Sequence, residues 1–238
     1  MKITQKEIQF FNENGYLIQR NVLDKALIAQ CLDHYWKSAP EGFYRSDPNT
    51  WRGMISQNAF TREGIHHQDY DWKDHTLKDT PCGRSLIAEN ASIIEAVGAL
   101  APFPIQRSHT RGIFGVLPGS AGRPFHIDGP RVLPFIGVTG LLADSSLNAG
   151  CFTFYPKSHH RVSELIENGT LDVLKNKSQD MYKMDLWKDA LIEDPVQFTG
   201  RAGDIVFWHD SLVHQYTHNL SNNIRIAMFV DFYIEMNL

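Results

Sequence analysis

The chain lacks an excess of either charge that would define a partner. Its formal net charge is −4, and no basic run or face argues for nucleic acid. No apolar run approaches the ~20 residues that a bilayer-spanning helix needs, so no membrane role is expected. Met1, Lys2, Ile3, Thr4 and Gln5 open the chain without the apolar region of a secretory signal. Cysteine is scarce: Cys31, Cys82 and Cys151 are odd in number and far apart, with no C-x-x-C pair. That excludes a zinc ribbon or a thioredoxin-type motif and favours free thiols in a reducing cytoplasm. Cys151 reads as a buried structural thiol. Repeats, low-complexity tracts and linkers are also missing. A chain of 238 residues can bury one substantial core, which points to one domain over 1–238.

What is present divides into helices first and short strands afterwards. Thr4 and Glu7 have capping-box spacing and Gly15 suits a helix end, so a helix is expected over about 5–13. Tyr16 to Ile18 reads as a short strand. Asp24 suits the cap of a second helix, with Leu27, Ile28, Cys31, Leu32 and Tyr35 on one stripe. From Pro40 to Pro81 periodicity fails, and the stretch reads either as irregular surface structure or as a substrate lid. Ser92 and Glu95 have the spacing of another capping box, opening a helix through Ala99. From Ile105 the chain becomes β-rich. Residues 132–142 read as a strand pair or one long strand, Cys151 to Tyr155 as a shorter strand, and 161–194 as a polar helical insertion. The expectation is a mainly β, α+β fold: residues 1–104 as mostly helical scaffold, and residues 105–238 as a double-stranded β-helix (jelly-roll, cupin-like) core.

Within that β region, His126 and Asp128 stand two apart. Residues at that spacing in a strand point to one side. Gly129 and Pro130 would end the strand and leave the pair at a rim. One imidazole and one carboxylate are two of the three protein ligands of a 2-His-1-carboxylate site, which leaves positions open on Fe(II). An isolated H-x-D is usually structural, so a third ligand decides.

Candidates for it are numerous, since there are eleven histidines. His209 precedes Asp210 and Ser211, which look like a bend. His218 falls within a polar segment that reads as a turn. His66 and His67 are adjacent and would face opposite ways in a strand. His159 and His160 suit the shaping of a loop or a substrate contact. His214 follows Leu212 and Val213 in a strand-like setting. If a hairpin is centred between Asn219 and Leu220, residue 214 lies opposite residue 225, with Cβ atoms about 4.5–5.5 Å apart. His214 and Arg225 would then enter one cavity, where a guanidinium binds a carboxylate through two parallel hydrogen bonds. Arg107, His109 and Arg111 alternate on one strand face, either solvated or lining that cavity.

With His126, Asp128, His214 and Arg225 in place, the chain resembles the phytanoyl-CoA dioxygenase (PhyH-like) family of Fe(II)/2-oxoglutarate oxygenases. Gly150 followed by Pro156, Ser158 and His159 is similar to that family's G…P-G-S-H segment. Ala202, Gly203, Asp204 and Asn219 match the surroundings of its distal histidine, and Asn14 to Leu17 with Asn21 to Leu23 its opening. The resemblance implies that His126, Asp128 and His214 hold Fe(II) and that Arg225 meets the far carboxylate of 2-oxoglutarate. Thr139 and Tyr216 would be further cosubstrate contacts. Molecular oxygen would then be consumed, succinate and carbon dioxide released, and a C–H bond of a small molecule hydroxylated. Asp128 argues against the halogenase variant, which has a small residue there. Three positions depart from the family: Tyr216 where a small hydroxyl residue is common, Lys157 for a glycine, and Ile127 for a glutamine. Arg123, Arg131, Lys157 and Arg161 gather near the expected mouth, and Arg131 and Lys157 are candidate contacts for an anionic substrate. Two other readings stay open: a cupin-like metal enzyme that does not use 2-oxoglutarate, and a non-catalytic small-molecule binding module. Oligomeric state is not legible.

Overall fold

The computed structural model describes residues 1–55, 64–128, 134–170, 191 and 193–235. The helix α1, Gln5–Asn14, starts where the capping box forms: Thr4 accepts from the Glu7 backbone N–H, and the Thr4 N–H donates to the Glu7 carboxylate at 2.8 Å. It stops at Gly15, whose φ of 78° is a left-handed conformation that glycine adopts without strain. In α2, Lys25–Trp36, Asp24 accepts from Leu27 N–H at 2.9 Å, and Ile28, Cys31 and Tyr35 are the buried stripe. A short turn α3, Pro81–Gly83, leads through a wider turn, Arg84–Ala88, to α4, Ala91–Leu100. The capping box expected at Ser92 and Glu95 does not form. Asn90 enters the helix first and accepts from Ser92 and Ile93 N–H, while Glu95 pairs with the amino terminus.

Among the described residues, ten strands make two antiparallel sheets. The large sheet has the order β1, β8, β5, β10, β4, β3, β2 and the small one β7, β6, β9. Their ranges are β1 Tyr16–Gln19, β2 Ile65–Gln68, β3 Asp71–Asp74, β4 Ile105–Val116, β5 Phe135–Leu141, β6 Phe152–Phe154, β7 Val196–Gln197, β8 Ile205–His209, β9 His214–Tyr216 and β10 Arg225–Ile234. A further extended segment lengthens the small sheet where His126 bridges to His214. The inner faces meet through Phe135, Phe152, Phe154, Trp208, Ala227 and Phe229. The outer face of the large sheet packs on the helices through Ile28, Ile87, Val97, Val138, Phe207 and Met228. This is the double-stranded β-helix with helices on one side, as expected. Residues 1–104, read as mostly helical, also supply β1, β2 and β3. The hairpin β2–β3 escaped the aperiodic 40–81 stretch because its strands have four residues each. Residues 56–63 of that stretch, and 171–190 and 192 of the expected insertion, lie outside the described residues. No helix among the described residues is long and apolar enough to cross a membrane.

The strand β10 is buried along its whole length, as befits a strand covered on both faces. Ile226, Met228, Val230, Phe232 and Ile234 face the helices. The alternate face carries Ala227, Phe229 and Tyr233, and by the period of two Arg225 and Asp231 share it. Beside it, β4 is interrupted by a bulge: Phe229 pairs with Gly112 and Val230 with Thr110, leaving Arg111 as the extra residue. Gly112 permits this, with φ of 129° and no room for a Cβ against Asp74 O. A bulge re-aims its side chain, so the alternation expected of Arg107, His109 and Arg111 fails. The first two are exposed and Arg111 turns inward.

The hairpin expected between His214 and Arg225 is also absent. His214 pairs with Phe154 of the small sheet, and Arg225 with Val116 of the large one. The polar segment between them crosses from sheet to sheet, tied by Asn219. That side chain is fully buried, donates to Val116 O and Asn223 O at 2.8 and 2.9 Å, and accepts from Ser221. The substitution Asn219→Ala strands these partners and is expected to cost about 2–3 kcal/mol, read from urea unfolding of the metal-free protein.

The helix α5, Ser158–Glu167, docks on the end of α1. His159 Nε2 donates to Asn12 O at 3.1 Å, while its buried Nδ1 has no hydrogen-bond partner. Burial, with His209 nearby, pushes this imidazole down to about 4. The unfolded chain takes up that proton below about pH 6.5 and the folded one does not. Stability present above that pH is therefore lost as pH falls toward 4. Between pH 7 and 5 the His159 contribution to this loss is about 1–2 kcal/mol, and His159→Gln should flatten the pH dependence of unfolding by that amount.

Candidate metal centre

The His126 and His214 backbones pair in both directions, each N–H donating to the other's carbonyl at 2.9 Å. This holds the two rings with centroids 4.3 Å apart. Each Nδ1 faces a main-chain carbonyl: Pro124 O at 3.1 Å for His126, and Leu212 O at 2.8 Å for His214. A carbonyl can only accept, so Nδ1 carries the hydrogen and Nε2 presents a lone pair. Both Nε2 atoms turn toward Asp128, His126 at 3.7 Å from Oδ1 and His214 at 3.5 Å from Oδ2. One ligand atom from each of the three lies within 4.8 Å of the others. The donor set fits a divalent transition metal with positions left open.

The protonation states fit as well. Burial and the neighbouring His214 push His126 down to about 4, so its imidazole is neutral near pH 7. Burial raises the Asp128 carboxyl, but Arg111, His214 and His126 together outweigh it and hold the group well below the usual range. The carboxylate is therefore ionised while the His126 ring can ligate.

The three open onto a cavity of about 170 Å³ that also bears Arg111, Phe114, Arg123, Phe152, Tyr216 and Arg225. Arg225 reaches it from the facing sheet, not from a paired strand. It is 3 % exposed. Its Nε donates to Gly150 O at 2.9 Å and its Nη1 to Phe114 O at 3.1 Å. Among the described residues it forms no ion pair, and burial lowers its pKa. Tyr216 packs its ring 5.9 Å from this guanidinium. Its hydroxyl donates to Asp71 at 2.7 Å and accepts from Arg123 Nε at 3.0 Å. Asp71 also contacts Arg123 Nη2 and lies 3.3 Å from Lys73 Nζ.

Other expected residues lie elsewhere. Thr139 is fully buried, accepts from the Trp208 indole at 3.0 Å and does not line the cavity. Lys157 has φ of 66°, the left-handed backbone that suits glycine, and pairs with Glu193 at 2.9 Å away from the cavity. Arg161 pairs with Glu164. Arg131, with Gly129 and Pro130, lies outside the described residues. His66 and His67 face opposite sides, and His67 donates to Ser38 O. Cys151 is buried, its thiol donating to Ser146 O. Asp71, Lys73 and Asp231 escaped the sequence reading. Only Asp231 left a signal there, as a lone acid inside the apolar run 226–234.

Residues 11–227 match the family described as Phytanoyl-CoA dioxygenase (PhyH). No curated protein matches the chain in sequence. Among solved structures it is similar to SnoK, a non-heme alpha-ketoglutarate-dependent carbocyclase from nogalamycin biosynthesis. The identity is 18%, the match covers 98% of this chain and 84% of that one, and the TM-score is 0.65. The epimerase SnoN, in complex with Fe3+, alpha ketoglutarate and nogalamycin RO, is also 18% identical, with 97% and 83% covered and a TM-score of 0.66. EctD from S. alaskensis with bound Fe is 14% identical, with 98% and 77% covered and a TM-score of 0.63.

Proposed function

Because the chain belongs to the phytanoyl-CoA dioxygenase (PhyH) family, we propose that it is an Fe(II)- and 2-oxoglutarate-dependent dioxygenase. The reaction is hydroxylation of an unactivated C–H bond of a small molecule, with release of succinate and carbon dioxide. One observation carries this reading. A buried guanidinium that forms no ion pair among the described residues shares a cavity with two histidines and a carboxylate. A buried charge needs a partner, and a dicarboxylate oxo-acid supplies one. A cupin-like enzyme without such a cosubstrate, or a binding module, leaves Arg225 unexplained.

His126, Asp128 and His214 hold Fe(II), which when bound supplies the activation of oxygen. Arg225 takes the far carboxylate of 2-oxoglutarate, and Tyr216 walls that end of the pocket. Its hydroxyl is committed to Asp71 and Arg123, unlike that of a small hydroxyl residue. Thr139 acts indirectly, steadying Trp208, whose ring lies 5.1 Å from that of His214. Phe114, Phe152 and Phe229 exclude water. Among the described residues, Lys73 and Arg123 line the cavity beside Arg225 and Arg111, and the one acid they share, Asp71, leaves a positive charge over, which favours an anionic substrate in the place first given to Lys157. Free Cys31, Cys82 and Cys151 suit a cytoplasmic setting.

Anaerobic titration with Fe(II) and then 2-oxoglutarate should develop the visible charge-transfer band of the chelate. Succinate release with each substrate offered, and mass spectrometry of the product, would separate hydroxylation from cyclisation or epimerisation. If neither the band nor succinate forms, the reading is wrong.

A further inference from the structure

The bulge in β4 delivers Arg111 to Asp128, and Asp128 is not its only acid. Arg111 Nε lies 2.9 and 2.8 Å from the two carboxylate oxygens of Asp231, and Nη2 lies 2.8 Å from Oδ1. The far nitrogen, Nη1, donates to Asp128 Oδ2. The guanidinium sits between Phe135 and Trp208, 5.4 and 5.5 Å from their rings, and Asp231 is 1 % exposed. Three charges in an aromatic setting are costly to bury. A core position would be filled as well by apolar side chains.

We propose that Asp231 and Arg111 form a relay that sets the orientation of the Asp128 carboxylate as a metal ligand. This rests on the metal reading given above. Arg111 fixes Oδ2, so the carboxylate cannot swing away from the imidazoles, and Oδ1 stays on the side of His126 Nε2. Asp231 has a second task. A guanidinium beside a divalent cation is repelled by it. The Asp231 charge cancels that of Arg111, so the arginine acts on the ligand through its hydrogen bond without opposing the metal. Both are positioning residues. Outer partners of this kind typically change metal affinity by about 10–100-fold.

The sign of the effect separates this role from mere proximity. Removing a cation that only neighbours the site would tighten metal binding. Removing one that orients a ligand would weaken it. Co(II) is the probe, added to metal-free protein and followed by calorimetry and by its visible d–d spectrum. The double variant Arg111→Met with Asp231→Leu removes both charges of that pair together, and Asp128 keeps His126 and His214 beside it. It is expected to melt near the wild type yet bind Co(II) about 10–100-fold more weakly, with an altered spectrum. Arg111→Lys keeps the charge but cannot span both acids, so it should fall between. Equal or tighter Co(II) binding in the double variant overturns the proposal. Should that variant fail to fold, Arg111→Lys decides: weaker binding upholds the relay and unchanged binding overturns it. A wild-type protein that takes up no Co(II) would instead remove the metal reading, and the relay with it.

Discussion

Asp128→Asn is expected to abolish succinate formation while the protein stays folded. The replacement keeps the shape of the side chain and removes its charge. The amide oxygen introduced there could still accept from Arg111, whose own charge remains balanced by Asp231 at 2.8 Å. The metal-free protein should therefore lose only about 1–2 kcal/mol of stability. The loss at the metal is much larger. The candidate site has one carboxylate, and its other two members are imidazoles. Fe(II) affinity should fall by more than the ~100-fold that marks the upper end for an outer partner. Turnover of 2-oxoglutarate should drop at least about 1000-fold. The paired measurements are a thermal melt and a succinate assay at saturating Fe(II). Turnover within tenfold of the wild type would mean that Asp128 is not a ligand.

The second large effect concerns Arg225. Its Nε and Nη1 already serve the carbonyls of Gly150 and Phe114, which aim the head group into the cavity. Arg225→Lys retains a positive charge but loses the planar fork. A charge-assisted hydrogen bond is worth about 1.5–3 kcal/mol, so the KM for 2-oxoglutarate should rise about 10–100-fold. At saturating 2-oxoglutarate, kcat should stay close to the wild type, because the lost contact is equal in ground and transition states. Arg225→Ala should be worse in both respects, since it also strands two buried carbonyls. An unchanged KM for 2-oxoglutarate in the lysine variant would show that the arginine serves some other anion or only the fold.

Much of this was legible because local chemistry and tertiary structure agree. Thr4, Glu7 and Gly15 specify a helix that then forms between them. Spacing by two brings His126 and Asp128 to one side, and His214 was separable from His209 and His218 by its apolar lead-in. What failed was long-range pairing. The segment after His214 has the composition of a hairpin turn, yet Asn219 uses its hydrogen bonds to cross between sheets. The cavity still receives both His214 and Arg225, for a different geometric reason. Arg111 was concealed by its strand alternation. Gly112, a glycine inside a strand pattern, was the available sign of a bulge. Asp71 and Lys73 sit on a strand too short to show a period. Asn90 outcompeted Ser92 because both residue types cap well and the chain reaches Asn90 first.

The central strand β10 has one further consequence. It presents five apolar side chains to the helices and both Arg225 and Asp231 to the interior. Sliding it by a single residue against β4 and β5 would drive two ions into an oily layer and push isoleucine and valine toward the cavity. A slipped register is thus penalised twice. The two charges set beside the cavity thus also proofread the alignment of the sheet.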